Sequence, residues 1–204
     1  MMNFRAALLA PTVLLSIAGA SLAAQAPGDR IIRSSSVHQG TLSFDGRATA
    51  GNFTGTTKDV TGEIKGGRLT EVRGWVEAPV RTLTTGNGRG DRDLNKSLES
   101  GKYPVIRFEL TGVTAPERQN DSLNVVLQGR FSIHGVTRDA AVPASLVFRP
   151  EGIRVRGETP LNLKDYKIGG LSKALGMLKM HEEIVVHLDL MFGDPSPQSA
   201  VARP

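Results

Sequence analysis

Residues 84–113, TTGNGRGDRDLNKSLESGKYPVIRFELTGV, decide the fold because they hold a short helix within a sequence otherwise patterned as strands. Asp91 is a suitable helix N-cap, and its charge suits the positive end of a helix dipole. Leu94 and Leu98 are four residues apart and therefore share one face of that helix. A glycine and a proline follow, so the sequence predicts a helix near residues 91–100.

An alternation of apolar and polar residues begins directly after this helix and recurs along most of the chain. Ile106, Phe108 and Leu110 are separated by charged residues. Because side chains at every second position of a strand share one face, the pattern predicts strands with one apolar and one polar face. Similar runs occupy residues 72–80, 123–133, 140–148, 153–163 and 184–192. The residues alone favour a closed antiparallel barrel over a sandwich by a small margin.

Three ordered motifs resemble the signature of the YceI-like family, periplasmic lipocalin-like proteins that bind polyisoprenoid lipids. They are the TGN, DRDLNKSL and KYPVIRF block at residues 85–108, GRFSIHGVTR at 129–138, and residues 165–180 with the core SKALG. The resemblance covers roughly residues 36–192. It implies an antiparallel lipocalin-like β-barrel of about eight strands, and a homodimer is a further expectation because dimers occur in the family.

Residues 171–180 form a second segment without strand periodicity. Leu171, Leu175 and Leu178 occupy helical positions, and Met177 and Met180 lie beside them. Methionine adapts to irregular apolar shapes, which include both lipid tails and ordinary core gaps. We predict a lid helix near residues 171–180 at the mouth of the barrel.

The two ends of the chain differ in composition from the middle. Residues 1–23 combine Arg5, an apolar run and the small residues of a cleavage site, which predicts a cleaved signal peptide rather than a stable membrane anchor. We therefore expect a periplasmic protein whose barrel domain spans residues 24–193. Residues 194–204 are rich in proline and lack apolar periodicity, which predicts a disordered tail.

Charge and cysteine content narrow the functions further. The formal net charge is +5, and there is no cysteine, so disulfides and thiolate metal sites are excluded. A basic balance suits nucleic acid, anionic lipid or another anionic ligand. We expect no nucleic-acid partner, because the protein is exported and aromatic residues make up only 5% of the chain. His181 and His187 lack the spacing of a known metal motif, so we expect no metal.

The apolar face of the predicted barrel supplies candidates for a ligand-binding interior. Burial of a hydrocarbon tail would drive binding, although any one such side chain is more often plain core than a ligand contact. The alternation puts Trp75 out of phase with its neighbours, which makes it the least secure of them. The predicted apolar lining is Phe44, Phe53, Trp75, Leu94, Leu98, Phe108, Leu127, Phe131, Ile133, Leu175 and Met177.

Basic residues flank both predicted helices. If the two helices border one opening, Arg92, Lys167 and Lys173 could pair with an anionic head group above the apolar interior. The resemblance implies a polyisoprenoid ligand, such as a quinone precursor or a polyprenyl pyrophosphate, or another long-chain amphiphile. No other cofactor is expected.

Two other functions stay open at this point. A secreted enzyme acting on a lipid or envelope substrate would use His134 or His181, although no catalytic triad or carboxylate pair stands out. A ligand-free structural or stress-related barrel would fill its interior with large side chains. We expect a binding protein without catalytic residues.

Overall fold

The computed structural model describes residues 26–48, 51–168 and 181–193. The strands, in chain order, are β1 (Ile31–Ile32), β2 (Ser35–Ala48), β3 (Gly51–Thr57), β4 (Thr61–Lys65), β5 (Gly67–Arg68), β6 (Arg73–Pro79), β7 (Val105–Gln119), β8 (Ser122–Ile133), β9 (Val136–Arg149), β10 (Gly152–Asn162) and β11 (Glu183–Gly193). The helices are α1 (Gly88–Ser97) and the 3₁₀ helices Pro27–Asp29, Leu69–Glu71, Val80–Thr82 and Leu163–Tyr166.

The main sheet closes on itself. Strands β6 to β11 pair antiparallel, each with the next, and β11 then pairs with β2. β3 and β4 both run antiparallel to β2 and lie against different parts of it, so together they form one interrupted strand. β4 pairs with β6 and completes the ring. The result is an eight-stranded antiparallel barrel, which confirms the predicted fold.

The predicted alternation decides which side chains fill the barrel. Along β8 every second residue from Leu123 to Ile133 is buried, including the glycine at position 129. Phe131 on β8 packs against Phe108 on β7, with ring centroids 4.7 Å apart. The inward phases of the strands build most of the apolar interior, which comprises one large cluster and a smaller one of Val60, Ala78, Leu190 and Phe192.

Helix α1 begins ahead of the predicted start, at Gly88. Its N-cap is Asn87, whose side-chain oxygen accepts hydrogen bonds from the backbone N–H groups of Arg89 and Gly90 at 2.9 and 3.5 Å. The assignment of Asp91 as the cap was wrong. Asp91 instead accepts hydrogen bonds from Thr85 N and Oγ1 at 2.6 and 2.8 Å, which hold the pKa of this carboxyl below its usual range.

The chain elements divide between the two ends of the barrel. α1, the 3₁₀ helices Val80–Thr82 and Leu163–Tyr166, and the β8–β9 turn lie at one end, which we call the helical end. The β8–β9 turn is the two residues His134 and Gly135, with φ angles of 52° and 75°. The pair β1 and β5 and the 3₁₀ helix Leu69–Glu71 lie at the opposite end.

Three sequence predictions concern residues outside the described part of the chain. The signal peptide at residues 1–23, the lid helix near 171–180 and the tail at 194–204 stay predictions. Ile168 is the last described residue before the predicted lid and follows the Leu163–Tyr166 helix. His181 is the first described residue after it and precedes β11. Both residues lie at the helical end.

An apolar cavity as the candidate site

A cavity of about 150 Å³ lies inside the barrel. Residues from every wall of the barrel and from α1 border it. Among the described residues, Leu94 and Leu98 of α1 border it at the helical end, and Ile32 and Leu69 border it at the opposite end. All four side chains are at least nine-tenths buried, so both ends of the cavity are covered by packed apolar groups.

The residues that line the cavity extend along most of the barrel. Ile184 and Phe192, which are eight positions apart on β11, both border it. At ~3.4 Å per residue this separation is about 27 Å along the strand, or about 20 Å along an axis to which the strands tilt by ~40°. A lining of this length suits an extended hydrocarbon chain better than a compact ligand.

The lining is apolar with few exceptions. Ser43 and Glu77 border the cavity but belong to the outward phases of β2 and β6, so only their backbone faces it. The carboxylate of Glu77 pairs with Arg107 on the outside at 2.6 Å. Tyr166 is only 3% exposed, and its burial raises the pKa of the phenol. Ser97 of α1 also borders the cavity, and its hydroxyl donates to the Asp93 carbonyl at 2.8 Å. A ligand in this cavity therefore meets mainly hydrocarbon, and the polar side chains that border it, Ser97 and the neutral phenol of Tyr166, lie at the helical end.

Most of the described apolar candidates lie where the sequence placed them. The structure brings seven of them together along the cavity: Phe44, Leu94, Leu98, Phe108, Leu127, Phe131 and Ile133. Their contact with a ligand stays a prediction. Leu175 and Met177 lie outside the described residues.

Two of the aromatic candidates are placed differently. Trp75 borders the cavity through its backbone only, because it lies in the outward phase of β6 and the Arg107 guanidinium stacks on its ring at 4.7 Å. Phe53 does not border the cavity. It lies opposite Gly46 at the helical end of β3, where its ring covers that glycine and meets Phe44 edge-on at 6.0 Å.

The described basic candidates share one end of the barrel. Arg92 is exposed on α1, and Lys167 is exposed directly after the Leu163–Tyr166 helix, with a φ of 56°. Both therefore lie at the helical end, where Tyr166 borders the cavity. Lys173 lies outside the described residues. Contact between these cations and a head group stays a prediction.

Sequence reasoning missed several lining residues. Leu146 and Val155 belong to alternating runs that had been recognised, so their phase was a sufficient signal. Val60 and Leu69 lie in a strand break and a 3₁₀ helix, where no period of two exists. Such residues are found only once the path of the chain is known.

His134 and His187 make polar contacts, and neither borders the cavity. His134 Nδ1 is 3.1 Å from the Tyr166 carbonyl, and its ring meets Tyr103 edge-on at a centroid distance of 4.7 Å. His187 lies on the outer surface between Asp45 and Glu158, at 3.0 and 3.3 Å. Within the described ranges, no group of three His, Cys, Asp or Glu side chains could hold a metal ion.

The closed eight-stranded barrel with an apolar interior defines a lipocalin-like protein. A YceI-like domain model matches residues 34–192, so the chain belongs to the YceI-like family, and the resemblance of its motifs is confirmed. A comparison with curated proteins finds no match. In the part of the chain that the structure describes, no helix has the length and apolar character needed to cross a membrane.

Solved structures share this fold at low sequence identity. BcnA of Burkholderia cenocepacia is 12% identical, with a TM-score of 0.60 over 74% of this chain and 94% of its own. A polyisoprenoid binding domain from Saccharophagus degradans, implicated in plant cell wall breakdown, is 13% identical, with a TM-score of 0.63 over 80% and 99%. The YceI protein of Campylobacter jejuni is 18% identical, with a TM-score of 0.54 over 70% and 85%.

Proposed function

We propose that this protein binds one long-chain lipid, a polyisoprenoid or a similar amphiphile, inside the barrel and carries or sequesters it in the periplasm without catalytic turnover. The observation that supports this most directly is the apolar cavity whose lining extends along the inside of the barrel. Membership of the YceI-like family supports it too, as does the likeness to a polyisoprenoid binding domain. The periplasmic location is supported by the signal-peptide pattern of residues 1–23.

The physical chemistry of the cavity favours a flexible hydrocarbon. Each methylene removed from water gains about 0.8 kcal/mol, so several isoprene units supply ample driving force. The measured affinity will be far below that sum, because ordering a flexible tail costs conformational entropy. A charged group along the tail would be excluded, because the side chains that line the cavity offer it no partner.

Native mass spectrometry of protein purified from the periplasm tests this proposal. The expected result is a stoichiometric adduct that organic extraction identifies as a polyprenyl or other long-chain lipid. A bare mass, together with no thermal shift when geranylgeraniol is added, would overturn the proposal and favour the ligand-free structural barrel.

A pair of tryptophan variants tests the location of the ligand. Leu127 faces the cavity in the middle of β8, whereas its neighbour Val126 is in the outward phase of the same strand. Leu127→Trp should obstruct the cavity and weaken geranylgeraniol binding by at least about tenfold. Val126→Trp introduces the same side chain on the other face and should leave the affinity unchanged.

Titration of both variants by intrinsic fluorescence gives the affinities, and thermal unfolding shows whether each variant is folded. If Leu127→Trp proves too unstable to measure, Leu110→Phe makes a smaller change on the same lining surface. Equal affinity for the wild type and a folded Leu127→Trp protein would place the lipid outside the barrel.

A further inference from the structure

The wall of the barrel has a break on one side. β3 ends at Thr57 and β4 begins at Thr61, so residues 58–60 belong to no strand. On the neighbouring side β6 ends at Pro79. The chain that follows β6 pairs with β3 at a single isolated bridge, between Thr56 and Thr84. The inter-strand ladder that closes the rest of the wall is therefore interrupted at residues 58–60.

Local contacts and side chains close this break. Val60 N donates to the carbonyl of Lys58 at 2.9 Å, and Asp59 N donates to Thr57 Oγ1 at 3.1 Å. The hydroxyls of Thr57 and Thr82 meet across the break at 2.6 Å. These backbone hydrogen bonds are internal to the segment, so residues 58–60 can shift without separating two paired strands.

The break has a surface depression on its outer side. This depression, of about 320 Å³, is lined by Lys58, Asp59, Val60, Thr61, Glu77, Pro79 and Val105. Val60 and Glu77 border both the depression and the internal cavity. Because Glu77 faces the cavity only through its backbone, the side chain of Val60 is the movable part of this partition.

The rim of the depression combines the polar residues Lys58, Asp59, Thr61 and Glu77 with one apolar lip, formed by Pro79 and Val105. Val105 is 39% exposed, one of two large apolar side chains exposed in the described ranges, and it pairs in register with Pro79. Val60, by contrast, is 8% exposed and packs in one cluster with Ala78. An exposed apolar lip therefore leads to a single buried valine, with the cavity directly behind it.

We propose that this break is a lateral portal, through which the hydrocarbon tail enters the cavity from the side when Val60 moves aside. The proposal rests on the proposed function. A tail that entered through the helical end would have to displace the packed Leu94 and Leu98 of α1. At the break, Val60 must leave its packing with Ala78, Leu190 and Phe192 and the Thr57–Thr82 hydroxyl pair must part, but no inter-strand ladder is lost.

A reversible disulfide tests the portal, because the chain has no cysteine of its own. Hydroxyls 2.6 Å apart bring the Cβ atoms of Thr57 and Thr82 near the ~3.8 Å typical of a disulfide. Thr57→Cys with Thr82→Cys should lock the portal when oxidised and release it when reduced. The matched control is Ser132→Cys with Thr137→Cys, whose hydroxyls meet at 2.8 Å across the intact β8–β9 ladder.

The probe is parinaric acid, a fluorescent long-chain fatty acid whose uptake and release are followed by stopped-flow fluorescence. Oxidation of the Thr57–Thr82 pair should slow both rates by at least about tenfold, since the valine can no longer move, and reduction should restore them. Oxidation of the control pair should change neither rate. Equal rates for the oxidised and reduced portal pair would overturn the proposal.

A single substitution gives an independent check that needs no disulfide. Val60→Ala shortens the side chain of the partition and should speed both uptake and release, each by a larger factor than the change in Kd. Val76→Ala, which lines the cavity from the continuous part of β6, should raise the release rate without raising the uptake rate. Absence of equilibrium binding by the wild type would overturn the proposed function and the portal with it, whereas normal binding with rates insensitive to these changes would overturn the portal alone.

Discussion

At the scale of single residues, an ion-pair network around Asp189 on the outside of the barrel makes the stability of the fold depend on pH. Arg154 donates two hydrogen bonds of 2.7 Å to this carboxylate, and Arg156 adds one at 3.1 Å. These bonds lower the pKa of Asp189 below its usual range, and the bond from Arg154 makes the largest contribution. Folding therefore favours the ionised carboxylate, and the resulting stability is present above the unfolded pKa of about 3.9 and is lost as the pH falls through the lower folded value.

Asp189→Asn should lower the free energy of unfolding near neutral pH by about 1 kcal/mol or less, because solvent screens a pair whose side chains are 40% exposed. Urea unfolding, with Arg154→Met and the double variant completing a cycle, measures the coupling of the pair. We expect this coupling to shrink as the pH is lowered below about 4. A coupling that stays constant into strong acid would contradict the assigned charge state.

The same scale shows where sequence patterns are reliable. The phase of each strand placed Phe108 and Phe131 in the interior, because burial of one face of a strand fixes every second residue. Trp75 has the largest side chain of the candidates but is out of phase with its apolar neighbours, and its ring stacks with Arg107 outside. Phase is therefore a better guide than side-chain size to what lines this cavity.

At the scale of elements, the start of α1 depends on a choice that the sequence leaves open. Asn87 and Asp91 are both good N-cap residues, and glycine at positions 88 and 90 disfavours an early helix. In the structure, a Cβ on Gly90 would lie 2.6 Å from Thr85 Oγ1. Glycine at position 90 therefore leaves room for the Thr85 hydroxyl to bond Asp91. Because Asp91 is engaged by Thr85, the helix is capped by Asn87.

Asn87→Ala should lower the free energy of unfolding by about 1 kcal/mol, because two N–H groups of the first turn lose their acceptor. Lys96→Ala is the matched control, since it lies in the same helix at an exposed position where alanine is well tolerated. Chemical denaturation of both variants measures the difference. A loss no larger than that of the control would show that the cap contributes nothing to stability.

At the scale of the whole molecule, barrel closure depends on pairing between distant parts of the chain. β2 and β11 pair along most of their length, although Ser36 and Gly193 are near opposite ends of the described sequence. A period of two predicts strands but not their partners, which is why the residues alone barely separated a barrel from a sandwich. The prediction of a barrel therefore depended on the ordered family motifs. The break between β3 and β4 could not be predicted, because it has no periodic pattern in the sequence.

The distribution of charge over the two ends leads to a prediction about ligand orientation. Arg92 and Lys167 are both exposed at the helical end. The apolar lip of the portal, Pro79 and Val105, adjoins that end, so an anionic head group left outside the portal should lie there, with the tail inside. Arg92→Gln with Lys167→Gln should weaken binding of geranylgeranyl pyrophosphate by up to roughly tenfold, as expected for two exposed charge contacts. Binding of geranylgeraniol, which has the same tail and no charge, should not change.

Arg33→Gln with Arg68→Gln is the matched control, because it removes two exposed cations from the opposite end. Calorimetric titration of both ligands at low and high salt separates the contributions, since added salt screens the head-group contacts and leaves the tail contribution largely intact. Selective loss of pyrophosphate binding in the control pair would place the head group at the opposite end. Equal losses in the two pairs would mean that the pyrophosphate responds to the overall positive charge rather than to a site.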